Sequence, residues 1–140
     1  MEIGFVGLGR MGANMVHRLR RDGDHAVVAF DPNPQARAAV EEHGATTVAT
    51  LADLIPRLGV PRAVWMMVPA GDATEETLDS LLAGLEPGDS IVDGGNSNWH
   101  DSVARAQRCQ AKGISFIDAG TSGGIWGLTV GYCLMVGGDT

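Results

Sequence analysis

The apolar run Ile3-Gly-Phe-Val-Gly-Leu8 passes directly into Gly7-Leu-Gly-Arg-Met-Gly12, and from there into Met11, Met15, Val16 and Leu19 at helical spacing. A buried strand that turns through three glycines into an amphipathic helix confines the chain to a βα unit. The rhythm then repeats. Ala26-Val-Val-Ala-Phe30 reads as a strand, followed by Ala36, Ala39, Val40 and His43 on one helical face. Thr50 and Asp53 form a capping-box-like start to a short helix with Leu51, Leu54, Ile55 and Leu58, which Pro56 should shorten or kink. Ala63-Val-Trp-Met-Met-Val68 is a strand, and Leu78, Leu81, Leu82 and Leu85 give a clean helical stripe. Ser90-Ile-Val-Asp93 is a strand before a helix marked by Trp99, Val103 and Ala106. Ile114-Ser-Phe-Ile117 is a strand, a glycine-rich loop spans Gly120 to Gly131, and Cys133-Leu-Met-Val136 closes the series. Continuous apolar runs separated by helices predict an α/β domain over residues 1–140, with a doubly wound, mostly parallel sheet covered on both faces.

Each glycine of the first cluster has its own task. Gly7 permits the tight turn, Gly9 lets a pyrophosphate approach the backbone, and Gly12 lets the helix pack on the strand. The helix N-terminus offers free N–H groups and a positive dipole end to phosphates, as in a Rossmann-type dinucleotide site. Asp31 ends the second strand, where a carboxylate accepts from both adenosine ribose hydroxyls and repels a 2′-phosphate. Pro32-Asn33-Pro34 follows without an arginine, which favours NAD over NADP; the competing role for Asp31 is to cap the next helix. Asp93-Gly-Gly-Asn-Ser97 and Gly120-Thr-Ser-Gly-Gly124 also follow strands, where ligands of open parallel sheets bind. Each is either a tight turn or part of a small-molecule pocket, with Asn96 and Ser97 at the nicotinamide end.

Composition removes several function classes. A net charge of −7 and a single lysine, Lys112, disfavour nucleic-acid binding. No apolar run approaches the ~20 residues that cross a bilayer, and Met1-Glu2 is not the basic start of a secretory signal. Cys109 and Cys133 form neither a disulfide framework nor a metal set, and read as small buried apolar groups of a cytoplasmic protein. No cluster has metal-ligand spacing.

Gly7-Leu-Gly-Arg-Met-Gly-Ala-Asn-Met15, Met66-Met-Val-Pro-Ala-Gly71, Asp93-Gly-Gly-Asn-Ser97 and Ser122-Gly-Gly124 followed by Gly137-Gly138 together resemble the decarboxylating 6-phosphogluconate dehydrogenases, in their shorter, NAD-preferring branch. The resemblance spans nearly the whole chain, and Asp93–Ser97 is its most specific part. It implies that Gly7, Leu8, Gly9, Arg10, Met11, Gly12 and Asp31 hold the dinucleotide, and that Val68, Pro69 and Ala70 line its path. It further implies that Asn96 touches nicotinamide ribose and substrate, and that Ser122, Gly123 and Gly124 hold a phosphorylated sugar acid. In that family the C3 hydroxyl is oxidised by hydride transfer, the β-keto acid loses carbon dioxide, and the enediol is protonated to ribulose 5-phosphate.

The resemblance also implies what this chain lacks. The family's lysine base and its glutamate fall past Thr140, as does an all-helical second domain that carries the dimer interface and the substrate-phosphate contacts. Ile125 and Trp126 stand where the longer branch is acidic. The chain therefore reads as a cofactor domain cut from an enzyme. The rival readings are another β-hydroxyacid dehydrogenase, of the 3-hydroxyisobutyrate or tartronate semialdehyde type, and a dinucleotide-binding module that does no chemistry. Lys112 reads as a solvated lysine, and His17, His25 and His43 as structural or solvated. His100, just after the Asn96 loop, is placed to reach a substrate. Trp65 and Trp99 read as packing residues, and Trp126 as packing or as a cover over a ligand.

Overall fold

Period-two alternation inside the apolar runs sorts their side chains onto the two faces of one sheet. In the computed structural model, which describes residues 1–138, strand β1 (Glu2–Val6) sends Phe5 into one core cluster and Val6 into the other. Strand β2 (Ala26–Phe30) does the same with Val27 and Ala29 against Val28. The remaining strands are β3 (Thr46–Thr47), β4 (Ala63–Met66), β5 (Ser90–Asp93), β6 (Ser115–Ser122) and β7 (Cys133–Gly138). They form one sheet in the order β3-β2-β1-β4-β5-β6-β7. Every pairing is parallel except β6 with β7. Asp139 and Thr140, which the sequence leaves in a loop, lie outside the described residues.

Helices α1 (Arg10–Asp22) and α2 (Pro34–Glu41) cover one face through Met15, Val16 and Val40. Helices α3 (Asp72–Leu82) and α4 (Trp99–Gln110) cover the other through Leu78, Leu81, Leu82 and Cys109. Each fully buried leucine contributes roughly 1.5–3 kcal/mol of burial. The doubly wound α/β expectation is therefore met. The chain runs outward from β1 to β3 and then returns to β4, so the strand order reverses between β1 and β4. Register aligns Val6 with Phe30 and Met66, Met66 with Asp93, and Asp93 with Asp118, which brings the carboxyl ends of β1, β2, β4 and β5 to one rim beside the middle of β6. A crevice at such a switch point is where open α/β sheets take ligands.

Several local expectations are corrected. The first strand ends at Val6, not Leu8, because Gly7 turns the backbone at φ +94° and donates to the Phe30 carbonyl at 2.9 Å. The fourth likewise stops at Met66 rather than Val68. Residues 51–58 are two 3₁₀ turns, Leu51–Asp53 and Ile55–Arg57, since Pro56 cannot donate into a longer helix. The Thr50 hydroxyl still caps the first turn, accepting the Asp53 N–H at 3.3 Å. In the α2 stripe Ala39 and His43 are exposed, and His43 lies past the helix end, stacked on His17 at 3.6 Å between ring centroids.

Helix α4 is rotated from the expected face. Of Trp99, Val103 and Ala106 only Ala106 packs against the core; Trp99 and Val103 are exposed, and Ser102, Arg105 and Cys109 point inward. The stretch from Gly120 onward is not one loop. Thr121 and Ser122 continue β6, a 3₁₀ turn covers Gly124–Trp126, and a short helix α5 (Gly127–Val130) precedes β7. Antiparallel pairing of Ser122 with Cys133 extends the strand, which residue type alone does not announce. Cys133 and Trp126 are exposed, so neither is a packing residue among the described residues, whereas Cys109 is fully buried.

Candidate functional site

The crevice over the switch point has a volume of about 630 Å³. Its floor is the glycine turn. Gly7, Gly9, Arg10, Met11 and Gly12 all line it, and α1 begins there without a side-chain cap or an acidic residue in its first turn. Helix α2, by contrast, is capped by Asn33 on the Gln35 N–H at 3.0 Å, and α4 by Asn98 on the His100 N–H at 3.0 Å. The first-turn N–H groups of α1 therefore face the crevice unsatisfied, a ready anion cradle. A Cβ at Gly7 would overlap the Met67 carbonyl and one at Gly12 the Gly7 carbonyl, so both positions are closed to side chains. Gly9 has nothing within 4 Å of its Cβ position, so packing does not require a glycine there.

Asp31 stands at the rim beside Phe30 and Pro32. Its Oδ2 accepts the Leu8 N–H at 2.7 Å and its Oδ1 the Asn33 N–H at 2.8 Å. Leu8 itself is buried, so it serves the crevice through its backbone and not as a lining side chain. Asp31 does not cap α2; Asn33 does. The Arg37 guanidinium donates to the Asp31 backbone carbonyl at 2.7 Å.

The opposite wall comes from the ends of β4 and β5. Val68 and Pro69 line the crevice, but Ala70 is exposed and outside the lining, because Gly71 at φ +99° turns the chain into α3. Helix α3 instead contributes Ala73, Glu76 and Thr77, none of which the sequence pattern singled out. Asn96 lines the crevice at φ +60°, the one positive φ at a non-glycine residue among the described residues. Asp93, with no exposure, organises this loop: its Oδ1 accepts the Gly95 N–H at 3.0 Å and its Oδ2 the Ser97 hydroxyl at 2.6 Å. A Cβ at Gly95 would lie 2.5 Å from the Val68 carbonyl oxygen, and one at Gly94 2.6 Å from the Met67 sulfur.

Of the third glycine cluster only Thr121 reaches the lining; Ser122, Gly123 and Gly124 lie beyond it, on the turn that leads to α5. His100 is exposed and stacked on Trp99 with ring centroids 3.5 Å apart, outside the crevice lining. Lys112 donates to the Leu82 carbonyl at 2.9 Å, closing the C-terminus of α3 far from the rim. Among the described residues no group of three metal-ligating side chains converges, and no helix is long and apolar enough to cross a membrane.

The family model described as the NAD binding domain of 6-phosphogluconate dehydrogenase matches residues 2–140. The chain belongs to that family. It is 49% identical over 138 residues to a Haloferax volcanii protein named NAD(+)-dependent, decarboxylating 6-phosphogluconate dehydrogenase, covering 99% of this chain and 45% of that protein. A solved 6-phosphogluconate dehydrogenase of Plasmodium falciparum, described with NADP+ and with 6-phosphogluconate, superposes at TM-score 0.91 with 29% identity over 99% of this chain and 31% of that one. A Mycobacterium tuberculosis 3-hydroxyisobutyrate dehydrogenase superposes at 0.90, also with 29% identity, over 99% of this chain and 46% of that one. The chain thus spans less than half the length of these relatives. The crevice of this NAD-binding domain is built from the same glycine turn and strand ends that carried the sequence resemblance.

Proposed function

We propose that this chain is the cofactor-binding part of a decarboxylating 6-phosphogluconate dehydrogenase that uses NAD. The observation that carries the reading is the pairing, on one crevice, of an uncapped glycine turn with a carboxylate at the end of β2. The N–H groups at the start of α1 and the open space at Gly9 would hold the pyrophosphate. Asp31 receives the adenosine ribose hydroxyls on the acceptor capacity left by its two backbone bonds. Asn96 stands at the nicotinamide end and orients ribose and sugar acid. Ser122, Gly123 and Gly124 take the sugar acid from the β6 side, next to Thr121 on the crevice lining. NAD held there would supply the hydride acceptor for the substrate's C3, whose hydroxyl proton would leave to a base. The resulting ketone receives the electron pair when carbon dioxide departs, and protonation of the enediol gives ribulose 5-phosphate.

The base and the acid of those steps belong to residues beyond Thr140, together with an all-helical domain that carries the oligomer contacts. The enzyme works in the cytoplasm, consistent with its two unpaired cysteines. The test is cofactor reduction by the native-length protein, offered 6-phosphogluconate with NAD and with NADP in parallel. Reduction of NAD with release of carbon dioxide is expected. Reduction of NADP alone would overturn the cofactor assignment. Failure with both, joined by turnover of 3-hydroxyisobutyrate or tartronate semialdehyde, would move the protein to the sibling dehydrogenases that it also resembles in fold.

A further inference from the structure

Arg105 lies on the inner face of α4 with 1% of its surface exposed, a depth at which a guanidinium is uncommon unless it is paired. Its Nε donates to Glu75 Oε1 at 2.7 Å, in the first turn of α3, and its Nη1 to Asp93 Oδ2 at 3.2 Å, at the end of β5. Both partners lead to the crevice. Glu75 is followed by Glu76, which lines one wall. Asp93 holds the Gly95 N–H and the Ser97 hydroxyl, the neighbours of Asn96 on either side. Asn96 keeps a left-handed backbone, which asparagine tolerates better than other side chains, and the Asp93 bonds on either side of it fix that turn. Arg108 reinforces the strut, donating to Glu75 Oε2 at 2.6 Å and also pairing with Asp79. Burial alone would raise the Glu75 carboxyl, but the bonds from Arg105 and Arg108 together outweigh it and hold the group below its usual range.

We propose that Arg105 is a positioning residue: it ties α3 to the β5 loop and thereby holds Asn96 against the crevice in its left-handed conformation. The proposal rests on the reading of that crevice as the NAD and sugar-acid site. Asp93 has no exposure, so its charge needs the cation beside it. Lysine cannot replace the arginine, because one ammonium on a flexible stem does not reproduce a planar fork that serves two carboxylates. Misplacement by about 1 Å of a group that orients substrate costs on the order of 100-fold in rate.

The experiment uses the native-length protein with Arg105→Lys and, separately, Ser97→Ala, which removes one loop bond and leaves the charge pair alone. Four quantities are read: the position of Asn96 in the variant crystal structures, the melting temperature, and kcat and KM for NAD with 6-phosphogluconate. In Arg105→Lys the expected result is a displaced Asn96 loop and kcat lowered by about tenfold or more, with KM for NAD nearly unchanged. Ser97→Ala should lower kcat in the same sense, by less, at an unchanged melting temperature. An unmoved Asn96, or a lower melting temperature with kcat retained, would overturn the proposal and leave Arg105 a structural ion pair. If Arg105→Lys does not fold, Ser97→Ala decides, and an unchanged kcat there counts against it. If the wild type turns over no 6-phosphogluconate, the functional reading falls, while the Asn96 position in Arg105→Lys still decides this one.

Discussion

The Asp31 carboxylate accepts the Leu8 N–H at 2.7 Å, so the acid that ends β2 also braces the glycine turn that ends β1. The proposed cofactor discrimination and the architecture of the turn therefore fall on one side chain. Asp31→Ala combined with Pro32→Arg is expected to lower kcat/KM for NAD in the native-length protein by about tenfold or more, in keeping with a lost charge-assisted hydrogen bond, and to raise that for NADP. Asp31→Asn removes the charge that opposes a 2′-phosphate while its single amide oxygen keeps the Leu8 N–H and gives up the Asn33 N–H. An unchanged NAD-to-NADP ratio in both variants would reduce Asp31 to the brace.

Gly9 and Gly12 should answer differently to the same change. Gly12→Ala places a Cβ on the Gly7 carbonyl and forces α1 away from β1, a loss of about 2 kcal/mol or more in a urea titration. Gly9→Ala meets open space, so stability stays within about 0.5 kcal/mol while NAD affinity drops by roughly tenfold or more in isothermal titration. Equal affinity in wild type and Gly9→Ala would mean that no phosphate approaches this turn.

Acid sensitivity is expected at Asp89, which is 2% exposed beneath Arg62. Burial alone would raise its carboxyl. The Glu86 N–H at 2.9 Å, the Arg62 N–H at 2.7 Å and the Arg62 guanidinium at 3.0 Å outweigh that and hold it below its usual 3.8. With the folded value depressed, the contribution is complete above the unfolded value and is lost as pH falls through it toward the folded one. Asp89→Asn should cost about 1–3 kcal/mol at pH 7 and bring the two urea midpoints together as pH drops below about 4. Midpoints that run parallel from pH 7 to pH 3 would refute the assignment.

The two thiols should differ in reactivity. Burial pushes the Cys109 thiol up to about 11, with Arg108 opposing it only weakly, whereas Cys133 is exposed on β7. Thiolate is the reactive form. Maleimide at pH 7.5, followed by peptide mapping, is expected to label Cys133 in the native protein and Cys109 only after unfolding. Native labelling of Cys109 would show that α4 opens from the sheet.

The βα unit, the doubly wound sheet and the uncapped α1 were legible because their causes are local. Glycine positions, apolar periodicity and an acid at a strand end act within a few residues of one another. The Asp93–Ser97 loop was legible for the same reason, since Asp93 bonds residues two and four positions on. The face of α4 was not. Trp99 and Val103 are more apolar than Arg105, yet the buried carboxylate of Asp93, 12 residues away, and the partly exposed one of Glu75, 30 residues away, draw the arginine inward. The reach of β6 through Thr121 was equally hidden, because its partner strand β7 begins only at Cys133. Periodicity and motif spacing report forces that act along the chain. The side chains that brace the crevice answer to charges and hydrogen bonds from distant segments, and only folding brings those within reach.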